Sequence, residues 1–184
     1  MIEIHTLSVA DFKHTMKNND LYDSNIEQQS DLAVISIGNS FEDNDPDDIF
    51  SNGPSSRWFR HQHKNVLNLT FDDITAPEKS QMMSQFAKWS VVGCNHDENG
   101  ITGGDYVLFD KEMASRLVQF VEENWTANTW IVHCSAGVSR SGAISRWLKD
   151  YLKFKYGIEA NNVDGRYAVP NAYVLSVLDK VLYR

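Results

Sequence analysis

Cysteine is scarce in this chain of 184 residues, occurring only as Cys94 and Cys134. Two cysteines give no disulfide framework, and a chain of this length can bury a real core without one. No apolar run approaches the roughly 20 residues needed to cross a bilayer, so no membrane partner is expected. No block of lysine or arginine interrupts a net charge of −8. A nucleic-acid partner is therefore not expected, and an acidic body would repel polyanions at long range. Internal repeats and low-complexity tracts are also missing. The opening residues, Met1 to Met16, are amphipathic and acidic, unlike a secretory leader. A single cytoplasmic domain over 1–184 is the expectation. Asn68 and Asn124 each begin an Asn-x-Thr triplet, which carries no meaning in a chain that is not secreted.

What is present is one dense stretch, Val132-His133-Cys134-Ser135-Ala136-Gly137-Val138-Ser139-Arg140-Ser141-Gly142. The apolar run from Thr129 to Val132 predicts a short buried strand. From Ile144 onward, Trp147, Leu148, Tyr151 and Leu152 recur at helical spacing. The small-residue turn between strand and helix suits an oxyanion. Its backbone N–H groups can point at one centre, and the helix that follows adds its positive dipole end. Arg140 offers a planar fork of donors to two oxygens of one phosphate. Cys134 faces the same positive potential, the setting in which a thiol becomes a nucleophile.

His-Cys, five residues, then Arg-Ser resembles the signature of the cysteine-dependent protein tyrosine phosphatases, above all the dual-specificity branch and its small bacterial and phage relatives. The resemblance implies an α/β fold of three αβα layers and a phosphate monoester hydrolase working through a phosphocysteine. It implies Cys134 as nucleophile, with Arg140 and the amides of Ser135, Ala136, Gly137, Val138, Ser139 and Arg140 holding the phosphoryl oxygens. Ser141 matches the residue whose hydroxyl bonds the sulfur. His133 matches the neighbour that positions the loop and keeps the cysteine ionised. Neither metal nor cofactor is implied.

The family places its general acid, an Asp, just after the strand that precedes the long helical region. Val66 to Phe71 followed by Asp72-Asp73 fits that context and makes Asp73 the first choice. Asp73 lies farther from Cys134 than the family spacing, whereas Asp105 lies at it, so Asp72 and Asp105 stay open as alternatives. Asp72 and Asp73 also read as one acid and one structural carboxylate. The loop carries no lysine, unlike phosphoinositide-directed relatives, which leaves a phosphorylated protein or peptide as the substrate. Phosphotyrosine against phosphoserine or phosphothreonine stays open, as does the oligomeric state. A catalytically inactive phospho-residue-binding module is the rival from another class. A rhodanese-like sulfurtransferase or arsenate reductase is disfavoured by His133 and by Arg140-Ser141.

Along the rest of the chain, strands are predicted at about 2–6 (an edge strand), 32–37, 65–71 and 129–133, in a mixed or mostly parallel sheet of four to five strands. Helices are predicted from Ser8 to about Asn19, over 77–90, from Asp110 to Asn124, from Ile144 to Gly157, and from Pro170 to the end. Residues 39–56, with Glu42, Asp43, Asp45, Asp47 and Asp48 around Pro46, read as a solvated loop. Arg57 to His63 reads as a further pairing segment and 158–169 as a connection. His61 and His63 read as surface histidines, and the Asn95 to Gly100 stretch lacks the Glu a calcium loop needs at its twelfth position. Cys94 is a candidate to resolve an oxidised Cys134.

Overall fold

The computed structural model describes residues 1–42, 48–75, 106–164 and 168–182. The helix expected over 77–90, the stretch 91–105 with Cys94 and Asp105, and the acidic residues Asp43, Asp45 and Asp47 lie outside the described residues. Within them the chain runs β1 (Ile2–Ser8), α1 (Val9–Asn18), β2 (Leu32–Gly38), β3 (Val66–Thr70), α2 (Lys111–Asn124), β4 (Thr129–Cys134), α3 (Arg140–Tyr156), β5 (Ala160–Asn162) and α4 (Ala172–Leu182). The five strands form one sheet in the order β3-β2-β4-β1-β5, and every pairing is parallel. No helix among the described residues is long and apolar enough to cross a membrane.

Parallel strands have their faces covered by crossover helices, which is why β2 and β4 read as continuous apolar runs. Alternation still divides them. Val34, Val66 and Ile131 pack with Phe12 and Met16 of α1 and with Leu21, Ile26 and Phe59. Ala33, Ile35, Ile37, Trp130 and Val132 pack with α2, α3 and α4. The result is three layers: α1 with the loops beside it, the sheet, and the remaining three helices. Trp130, fully buried, meets Phe120 of α2 edge to face with ring centroids 6.0 Å apart.

Helix boundaries follow the capping chemistry. Ser8 Oγ accepts from Asp11 N at 3.1 Å to start α1, and Asp110 Oδ1 accepts from Met113 N at 2.8 Å to start α2. Asn171, rather than Pro170, opens α4: its Oδ1 accepts from the amides of Tyr173 and Val174.

Three expectations are corrected. β1 is not an edge strand, because residues 160–162, expected to be mere connection, pair with Ile2 to Ile4 and take the edge. Residues 57–63 form no strand, only one antiparallel bridge between His63 and Val66. There Trp58 instead stacks on Tyr22 at 5.4 Å and donates from Nε1 to Leu21 O at 2.7 Å. The acidic loop is not simply solvated either: Ser51, Asn52 and Ser56 are buried, and a short 3₁₀ turn spans Pro54–Ser56.

Because all strands run one way, their carboxyl ends share one edge, where open α/β sheets hold ligands. That edge gathers Ser8, Asn39, Phe71 to Asp73 and Cys134.

Candidate active site

Cys134 ends β4 and is 2% exposed; α3 starts at Arg140. Between them the backbone turns through Gly137 at φ +72°, where an added Cβ would sit 2.6 Å from Leu7 C and Ser8 N. Glycine is therefore required twice over, by the left-handed backbone and by the close approach of β1. Val9 N donates to Ser135 O at 3.1 Å, tying the same loop to the start of α1. The amides of Ala136, Gly137, Val138 and Ser139 donate to no acceptor among the described residues. Ala136 is exposed and Val138 half-buried. Together with the positive end of the 17-residue α3, these groups make a cradle for an anion.

The groups with chemistry converge on this cradle. Cys134 Sγ lies 3.1 Å from Ser141 Oγ, which is wholly buried in the first turn of α3. Arg140 is 4% exposed, and its Nη1 donates to Phe71 O at 2.7 Å. Its Nη2 donates at 2.9 Å to both Asn39 Oδ1 and Ser135 Oγ. The buried Nε–H of Arg140 has no partner among the described residues. A buried donor left unmet is costly unless something accepts from it, and a bound oxyanion is the natural acceptor here.

Asp72 and Asp73 take opposite environments across a tight turn, in which Ile74 N donates to Asp72 O at 3.0 Å. Asp72 is 3% exposed and accepts from Ser40 N at 3.0 Å, from Ser40 Oγ at 2.5 Å and from Val107 N at 2.9 Å. Every one of those bonds is structural: they staple the β2 and β3 ends to the segment entering α2. Asp73 is half-buried and turns to the loop, accepting from Ser139 Oγ at 2.7 Å and from Asn171 Nδ2 at 2.8 Å.

His133 lies on the opposite face of the sheet from Cys134. Its ring stacks on Phe12 at 3.9 Å and its Nε2 pairs with Ser36 Oγ at 2.8 Å. Burial, then the charges of Arg57, Arg140 and Lys13, push its pKa down to about 3, although a backbone bond to Cys134 opposes them. The imidazole is thus neutral at working pH and lends no positive charge to the sulfur. What it contributes is a fixed strand end under the loop.

Sequence reasoning missed Asn39 and Asn52 and gave Asn171, noticed only as part of a Pro170-Asn171 pair like that of small prokaryotic relatives, no role in the site. Asn52 Nδ2 donates to Ile37 O at 2.9 Å and to Ser135 Oγ at 3.0 Å. Asn39 carried one legible signal, its place directly after a strand that ends beside the loop. The histidine pair stays apart from the site: His61 is exposed, and His63 lies between Asp23 at 2.7 Å and Glu27 at 3.4 Å. No group of three metal-ligating side chains occurs among the described residues. An open cleft of about 680 Å³, lined by His61, Arg116 and Phe120 among others, also lies away from the loop and is lined by no cysteine, serine or threonine. Chemistry, not volume, selects Cys134. Compared with protein-family models, with curated proteins and with solved structures, the chain matches none.

Proposed function

We propose that this chain is a phosphate monoester hydrolase of the cysteine-dependent protein tyrosine phosphatase type, dual-specificity-like, acting in the cytoplasm on a phosphorylated protein or peptide. The observation that carries the reading is the convergence, at one helix N-terminus, of a buried cysteine, a hydroxyl 3.1 Å from its sulfur, and a buried arginine with an unmet Nε–H. A structural cysteine needs none of these neighbours.

In the first step Cys134 Sγ attacks phosphorus in line, the phosphorus–oxygen bond to the leaving group breaks, and that oxygen takes a proton from Asp73. Arg140 and the loop amides hold the three equatorial oxygens, whose charge they meet best in the transition state. In the second step water attacks phosphorus, its proton returns to Asp73, and the sulfur–phosphorus bond breaks with Ser141 Oγ donating to the departing sulfur. Ser139 and Asn171 hold Asp73 at the rim of the loop, while Asp72, committed to three hydrogen bonds, keeps the wall in place.

The test is hydrolysis of para-nitrophenyl phosphate in the presence of a chelator by the wild type, Cys134→Ser, Asp73→Ala and Asp72→Ala. The proposal expects activity in the wild type, none in Cys134→Ser, and a reduced kcat with stability retained in Asp73→Ala. A wild type that binds vanadate tightly yet turns over nothing leaves a phospho-residue-binding module instead. Sulfur transfer from thiosulfate in place of phosphate release would point to the sulfurtransferase.

A further inference from the structure

Three of the five N–H donors of the Arg140 guanidinium are already committed, one on Nη1 to Phe71 O and both on Nη2 to Asn39 Oδ1 and Ser135 Oγ. Among the described residues two donors stay open, the second on Nη1 and the buried Nε–H. Which edge of the guanidinium faces the cradle is therefore decided by what holds Nη2.

That hold is built from two asparagines of the loop after β2. Asn39 Oδ1 accepts both the Arg140 Nη2 proton at 2.9 Å and the Ser135 hydroxyl proton at 3.1 Å. Ser135 Oγ, with its proton spent on Asn39, accepts from Arg140 Nη2 at 2.9 Å and from Asn52 Nδ2 at 3.0 Å. Asn52 is fixed in turn: its other bond goes to Ile37 O, and its carbonyl accepts from Asn39 N at 2.8 Å. The side chains of Arg140, Asn39 and Ser135 form a closed ring, and Asn52 braces it through Ser135 Oγ and through its main-chain carbonyl. An amide acceptor does this without adding a negative charge beside an anion-binding loop, which a carboxylate would.

We propose that Asn39 and Asn52 are positioning residues for Arg140: through Ser135 they fix its guanidinium so that the Nε edge is presented to the phosphoryl oxygens. This rests on the phosphatase reading above and adds to it the part of the chain that sets oxyanion affinity. Neither asparagine touches the reacting atoms; both act through Arg140.

The experiment measures kcat and KM for para-nitrophenyl phosphate, inhibition by vanadate, and thermal unfolding for the wild type, Asn39→Ala, Asn39→Asp, Asn52→Ala, Arg140→Lys and the Asn39→Ala/Arg140→Lys pair. Loss of one hydrogen bond to a charged partner predicts a drop of roughly ten- to a hundredfold in kcat/KM for Asn39→Ala, with vanadate affinity falling in parallel. Asn52→Ala, one bond further from Arg140, gives a smaller drop in the same direction. Asn39→Asp keeps an acceptor for both protons but adds a negative charge beside the anion-binding loop, so vanadate affinity falls there as well. In the Arg140→Lys background Asn39→Ala costs little more, because residues acting as one unit are not additive. If Asn39→Ala leaves kcat/KM and vanadate affinity at wild-type values, or if its effect multiplies fully with Arg140→Lys, the proposal is overturned. Should Asn39→Ala fail to fold, Asn52→Ala decides by the same criteria. An inactive wild type contradicts the phosphatase reading instead, and vanadate affinity across the variants then still judges the positioning.

Discussion

Gly137→Ala is the substitution whose cost is best defined by the structure. At φ +72° an alanine meets the left-handed penalty, about 1–2 kcal/mol. Its methyl would also lie 2.6 Å from Leu7 C and Ser8 N and 2.9 Å from Leu7 O, all main-chain atoms held in the β1–β4 ladder. Such atoms do not swing aside as a side chain does, so overpacking adds about 1–3 kcal/mol. The sum is about 2–5 kcal/mol, and at about 2–4 °C per kcal/mol for a chain of this size Tm falls by something on the order of 10 °C. Gly157→Ala is the control. It shares the left-handed backbone at φ +67° as the cap of α3, yet an added Cβ there finds nothing within 4 Å. Its cost is the backbone penalty alone, about 1–2 kcal/mol. Urea or thermal unfolding of the two variants beside the wild type separates the terms. Equal destabilisation at both positions would refute the claim that the loop is pressed against β1.

His133, held neutral by burial, gives a second prediction. Its imidazole resonances should show no titration midpoint near the ordinary 6.5, since the folded value is about 3. With the folded pKa below the unfolded one, its contribution to stability is present above about pH 6.5 and is lost as pH falls toward 3. The loss amounts to a few kcal/mol, absent in His133→Gln. An NMR midpoint near 6.5 would contradict the buried placement. Asp72→Ala strands the donors of Ser40 and Val107 in a buried wall and should lower unfolding free energy by about 2–4 kcal/mol, whereas Asp73→Ala, half-buried, should cost less than half of that. Asp73→Asn should slow phenyl phosphate far more than para-nitrophenyl phosphate, because the poorer leaving group depends more strongly on a donated proton. Equal slowing of both substrates would move the acid elsewhere.

Much of the fold was legible because buried parallel strands announce themselves: 32–37 and 129–133 are nearly pure apolar runs. β5 was not, since Ala160-Asn161-Asn162 has no pattern of its own and owes its strand form to the free edge of β1. Arg57 to His63 misled for the opposite reason. Its aromatic residues look strand-like, but Trp58 caps Tyr22, and Arg57 reaches back to donate to Leu69 O at 2.8 Å. The loop from Cys134 to Arg140 stood out because its chemistry-bearing residues are contiguous in the chain. The division between Asp72 and Asp73 was half legible: the sequence offered one acid and one structural carboxylate, and the tight turn that sends them opposite ways shows only in the fold. Asn39 and Asn52 were hidden, and the role of Asn171 with them, because asparagine is common in every turn and only folding brings these three together around Ser135, Arg140 and Asp73.

The central claim is a covalent bond between phosphorus and one sulfur atom. Acid quenching within milliseconds of mixing enzyme with excess para-nitrophenyl phosphate, followed by peptide mass spectrometry, reads it directly. The account predicts a phosphoryl group on the peptide carrying Cys134 in the wild type, more of it in Ser141→Ala, where the second step loses its donor, and none in Cys134→Ser. Steady turnover with no phosphoryl on that peptide, or with phosphoryl on another residue, would contradict it.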